Sequence, residues 1–179
     1  MLAYLLLSCR VAVSGVFLLS FAGKIRGRTA YREFVASVEA LNVVPRPLAR
    51  AAATAVIAAE ACTALLVALP PPASFAGFVL AVGLLTAFTG VILVALRRGS
   101  TAPCRCFGAA AAPPGRPHVI RNLTLLAVSV TGLAGAAGVA TVRLAGEGVL
   151  AAVIAAAVVV LLVSRFDDLL ALFRPEGAR

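Results

Sequence analysis

Apolar residues in this chain come in long runs, each closed by a short polar, glycine-rich or proline-rich break. A membrane-spanning helix needs about 20 consecutive, predominantly apolar residues. Four runs meet that length, at 2–22, 48–69, 75–96 and 119–142, and a fifth at 148–163 is shorter but uninterrupted. The pattern predicts a polytopic membrane helix bundle, all-α, with four core spans and a fifth. No positive charge precedes the first run, Arg10 interrupts its apolar centre and basic residues follow it, so it reads as a membrane helix and not as a secretory signal peptide. In the fourth run Gly132, Gly135, Ala136 and Gly138 are small residues at spacings that let helix backbones approach closely.

The breaks differ in character. Gly23-Lys24-Ile25-Arg26-Gly27-Arg28 leads into a segment where Tyr31, Phe34, Val35, Val38 and Leu41 recur at helical spacing. Arg32, Glu33, Ser37 and Glu39 take the positions between, and Thr29 is the expected N-cap. This predicts a short amphipathic helix lying on the bilayer interface, ended by Asn42 and Pro45-Arg46-Pro47. Pro70-Pro71-Pro72 is a charge-free connection of turn length between the second and third spans.

Composition narrows the class. Hydrophobic residues make up 62% of the 179 residues, charged ones 13%, and the mean hydropathy is +1.06, too little polar surface to cover a water-soluble fold. Length and pattern predict one integral membrane domain, with a core bundle over 1–142 and a fifth span and tail over 143–179. The bilayer is the first partner. The net charge of +9 sits at the ends of apolar runs and not on one amphipathic surface, which argues for juxtamembrane anchoring and against nucleic acid. Nearly every Lys and Arg falls in the connections at 23–50 and 97–121 or in the C-terminal tail. The positive-inside rule then puts those connections in the cytoplasm and the N-terminus outside, in a multi-pass protein of the cell membrane.

Two charges lie within spans. Counted from the span ends, Arg10 and Glu60 fall at similar depths, which predicts an Arg10–Glu60 ion pair in the bundle interior. Such a pair either fixes helix register or takes part in a proton or quinone pathway. Cys9 and Cys62 also fall within spans, where cysteine is a common small buried residue.

The most chemical stretch is Cys104-Arg105-Cys106-Phe107-Gly108, in the longest polar break, with Arg97 and Arg98 before it and Arg116 and His118 after it. Three readings stand. As a dithiol/disulfide couple, the thiols gain reactivity from the surrounding arginines, which favour the thiolate, and a disulfide across one residue is strained and easily reduced. As a metal site, two thiolates and His118 supply only three ligands. The third reading is a pair of inert loop cysteines.

Ser20-Phe21-Ala22-Gly23-Lys24, an amphipathic segment closed by Pro45, Glu60 in the second span, and Cys104-x-Cys106-Phe107-Gly108 followed by Arg121-Asn122 together resemble the methylamine utilisation protein MauE family, within the wider DoxX/DoxD-like membrane group. The resemblance covers about 1–142. Arg105 stands where the family pattern usually has Gly. The resemblance implies a multi-pass protein that supports disulfide formation, or electron transfer, for a thioredoxin-like partner or in the maturation of an amine dehydrogenase. The leading expectation makes Cys104 and Cys106 the redox pair, tuned by Arg105 and set beside Phe107 and Gly108, with Arg121 and Asn122 binding the loop backbone or a quinone head group. A different class of function, a non-enzymatic membrane subunit or assembly factor that recruits a redox partner through the basic face around 24–46, also fits. The implied role sets the cysteines on the exterior, whereas the charge bias sets them in the cytoplasm.

Overall fold

The computed structural model describes residues 2–99, 115–138 and 146–164. All elements there are helical: α1 (Leu2–Ile25), α2 (Arg28–Ala40), a 3-10 turn (Arg46–Leu48), α3 (Ala49–Ala68), α4 (Ala73–Arg97), α5 (Arg116–Gly138) and α6 (Gly146–Ser164). Among the described residues four segments are long and apolar enough to cross a membrane: α1, the turn with α3, α4 and α5. A shorter apolar helix spans Gly148–Leu162 in α6. The protein is a polytopic helical membrane bundle.

α1 is the axis of the arrangement. It packs against α3, α5 and α6, while α4 closes the far side between α3 and α5. Val13, Phe17, Val67, Phe78, Leu85 and Leu125 are almost wholly buried between these helices. Leu18, Leu65, Val79, Leu93 and Leu123 are exposed and face outward, where lipid is the matching solvent. Small residues set the distances. A Cβ on Gly77 of α4 would lie 2.5 Å from the Val67 backbone nitrogen of α3, and a Cβ on Gly132 of α5 would lie 2.4 Å from the Phe78 ring of α4. Only glycine permits either approach.

Successive spans run antiparallel, so the bundle has two ends. At the proline end, Pro70-Pro71-Pro72 joins α3 to α4. At the loop end α1 and α4 finish and α3 and α5 begin, so the connection bearing the cysteines leaves and returns there. α6 runs parallel to α1: Ser8 Oγ donates to the Ala152 carbonyl at 3.2 Å, and Gly15 lies against Val160 seven to eight residues further along.

α2 crosses the loop end. Phe34 and Val35 pack with Ala53 and Ile57 of α3, and Leu41 reaches Ile92 and Ala95 of α4. The helix begins at Arg28 with Gly27 at the cap position and no side-chain cap, so Thr29 lies inside the first turn and does not cap it. α5 begins at Arg116, three residues before the apolar run, which brings His118 into the helix.

The register of α1 against α3 overturns one expectation. Arg10 does not meet Glu60. Its Nε donates to the Val67 carbonyl at 3.0 Å and its Nη2 to the Ala68 carbonyl at 2.7 Å, while Ser14 Oγ donates to the Ala64 carbonyl at 2.8 Å. Counting depth from span ends assumed flush ends. Instead, α1 overhangs the last residue of α3 by about two turns. Helical side chains also lean toward their own N-terminus, so in antiparallel neighbours Arg10 and Glu60 lean apart.

Candidate functional site

Glu60 is wholly buried and pairs with Lys24. Lys24 Nζ donates to Oε1 at 2.7 Å and to Oε2 at 2.9 Å, and to Ser20 Oγ at 2.7 Å; Ser20 Oγ in turn donates to Oε1 at 3.0 Å. Ser20 and Lys24 are four residues apart on one face of α1, and the lysine stem leans back into the bundle toward α3. The Nζ also lies 4.9 Å from the centre of the Phe34 ring, so the amphipathic helix roofs the ion pair with an aromatic face. That roof explains why a lysine one residue from the end of α1 is only 6% exposed. An ammonium has three protons to donate, and here two carboxylate oxygens and a hydroxyl take them.

A second polar group occupies the start of α5. His118, Arg121 and Asn122 are buried, at 4%, 3% and 0% exposure. With Leu125, Ser129, Gly132 and Ala136 they form the inward stripe of the helix, polar in its loop-end half and small or apolar in the other. Both side-chain heteroatoms of Asn122 are buried without a hydrogen-bond partner among the described residues, as is Ser129 Oγ. A buried amide left unpaired costs about 1–3 kcal/mol, so a group that supplies its partners would bind with that much in hand.

Cys104, Arg105, Cys106, Phe107 and Gly108 lie outside the described residues. Of the remaining expected site residues, Arg121 and Asn122 are at the loop end, Glu60 is at the ion pair beneath α2, and Arg10 is at the opposite end on the α3 carbonyls. The cysteines within spans do not form a pair: Cys9 is buried, Cys62 is exposed, and both are free thiols. Among the described residues no group of three or more His, Cys, Asp and Glu side chains is placed to hold a metal.

The model of the methylamine utilisation protein MauE family matches residues 2–135. The chain belongs to the MauE family. The matched stretch runs through α1 to α5 and includes both polar groups, the ion pair under α2 and the buried start of α5, while the MauE match ends before α6. Neither the curated proteins nor the solved structures contain a match to this chain. Family membership makes it a membrane protein associated with methylamine utilisation.

Ser20, Lys24 and His118 are buried at the two polar groups although the sequence pattern does not place them in the interior. Lys24 and His118 were read with the basic breaks beside them. The available signal was the four-residue spacing of Ser20 and Lys24, which sets a hydroxyl and a cation on one helix face above a buried carboxylate.

Proposed function

We propose that this chain is a membrane thiol–disulfide redox protein in which Cys104 and Cys106 are the exchanging pair, working with a thioredoxin-like partner in the cell membrane. The observation that carries the reading is a convergence at one end of the bundle. α4 ends and α5 begins at this end, on either side of the segment bearing both thiols, and the buried polar residues Ser20, Lys24, Glu60, His118, Arg121 and Asn122 belong to the same half of the bundle. A bilayer interior tolerates such groups only when they are paired or serve a function, and the gathering of the buried charged, imidazole and amide side chains among the described residues in one half of the span supports a site at that end.

The exchange balances without further reagents. A partner thiolate attacks one sulfur of a Cys104–Cys106 disulfide, the other sulfur leaves as a thiolate, and a second partner thiolate resolves the mixed disulfide. The partner gains a disulfide and the loop gains two thiols; the reverse sequence reduces the partner. Arg105 between the cysteines stabilises the leaving thiolate. Asn122 offers a buried donor and a buried acceptor of the kind a quinone carbonyl or the loop backbone would engage, with Arg121 one residue before it. A quinone bound there would supply a two-electron acceptor that returns the loop to its disulfide form.

The test is restoration of a dependent partner's oxidation state. A Cys104→Ser/Cys106→Ser variant inserted at normal levels is expected to lose it and to form no mixed disulfide with the partner. Full activity in that variant would remove the mechanism and leave the chain as a non-enzymatic assembly factor.

A further inference from the structure

On the outer side of α2, away from the Lys24–Glu60 pair, lies a cavity of about 930 Å³, within the size range of small-molecule sites. Ile25, Arg28, Tyr31, Arg32, Val35 and Arg50 line it, together with Glu39. Arg28 and Arg32 are one helical turn apart on α2, and both are exposed. Arg50 joins them from the first turn of α3, and the junction is held by a hydrogen bond of 3.0 Å between the Tyr31 hydroxyl and Thr54 Oγ1. Thr54 also bonds back to the Arg50 carbonyl, which puts Arg50 one turn from that contact. Among the described residues none of the three guanidinium groups is in an ion pair. Glu39 is seven residues beyond Arg32, roughly 10 Å along the helix, too far to neutralise the arginine pair directly.

The level of this cavity decides its ligand. It sits where α1 ends at Ile25 and α3 starts at Ala49, the plane at which apolar spans leave the hydrocarbon. The mouth combines three cations with the apolar side chains Ile25 and Val35, and guanidinium groups match phosphate oxygens in paired, planar hydrogen bonds. We propose that this cavity binds the phosphate of an anionic phospholipid, with Arg28, Arg32 and Arg50 holding the head group and the acyl chains lying along the outward faces of α1 and α3. The site fastens α2, and with it the Phe34 roof over the buried ion pair, to the membrane surface. It is independent of the cysteine chemistry, so the redox reading and the lipid site stand or fall separately.

Native mass spectrometry of the full chain, released from detergent with equimolar phosphatidylglycerol and phosphatidylcholine, tests the proposal. The wild-type chain is expected to retain phosphatidylglycerol in preference by about tenfold or more. An Arg28→Gln/Arg32→Gln/Arg50→Gln variant should lose the preference. The corresponding triple Lys variant should keep most of it, and Arg97→Gln/Arg98→Gln, at the same end but outside the cavity, should leave it unchanged. Equal retention of both lipids by the wild type, or an undiminished preference in the Gln variant, would overturn the site. Displacement of the lipid by glycerol phosphate at matched concentration would make a free phosphate ester the ligand and overturn the lipid assignment. So would loss of a co-purifying protein from the Gln variant with the lipid ratio intact, since the face would then serve a protein partner.

Discussion

α1 carries two cations inside a membrane span, and they solve the same problem in different ways. Arg10, at the proline end, is partly exposed and reaches the Val67 and Ala68 carbonyls, groups that the ending α3 helix leaves without intrahelical partners. Its charge meets the negative end of a helix dipole, an arrangement that needs no carboxylate. Lys24, at the loop end, is buried and faces a carboxylate that is itself wholly buried, with Ser20 completing the set. The first contact ties one helix to the end of another. The second creates a charged group inside the bundle, held only as long as both partners and the Phe34 roof stay in place. One end of α1 therefore carries a helix cap and the other a buried ion pair.

The largest expected effect lies in the buried pair. Lys24→Met leaves the Glu60 carboxylate buried with Ser20 as its remaining donor, and should lower stability by about 3–5 kcal/mol. Lys24→Met combined with Glu60→Gln should recover most of that loss. Unfolding midpoints of the single and double variants in detergent or nanodiscs measure the coupling, and additive losses would show that the two side chains do not act as a pair.

Gly77→Ala comes next. The added methyl meets the Val67 backbone in the same turn of α3 that Arg10 caps, so α4 must shift away, at about 1–3 kcal/mol in the same unfolding assay. The smallest effect is expected for Arg10→Met, which removes two hydrogen bonds from a partly exposed group and should cost about 1–2 kcal/mol. If Arg10→Met proved as damaging as Lys24→Met, the contrast between a surface cap and a buried pair would fail.

Much of this architecture was legible in the chain. Apolar runs of spanning length forecast α1, α3, α4 and α5, and the spacing of Tyr31, Phe34, Val35, Val38 and Leu41 forecast α2, because burial periodicity is a local property. Partner choice for Glu60 was not legible. It depends on how far α1 slides past α3, and that register is set by contacts such as Ser14 with Ala64 and Arg10 with Val67, which no single segment encodes. His118 was hidden for a related reason: a helix start displaced by one turn converts a break residue into an interior one. Asn122 could be flagged as a polar residue early in a span, but its complete burial emerges only from the packing of α5 against α1 and α4.

A working dithiol formed by Cys104 and Cys106 is measured most directly by thiol counting in membranes. In a chain with Cys9→Ala and Cys62→Ala, only Cys104 and Cys106 remain to react with a maleimide mass tag. Two tags are expected after reduction, none after treatment with a thioredoxin-like disulfide donor, and two again on re-reduction. Two tags under all three conditions, with the protein folded and inserted, would contradict it.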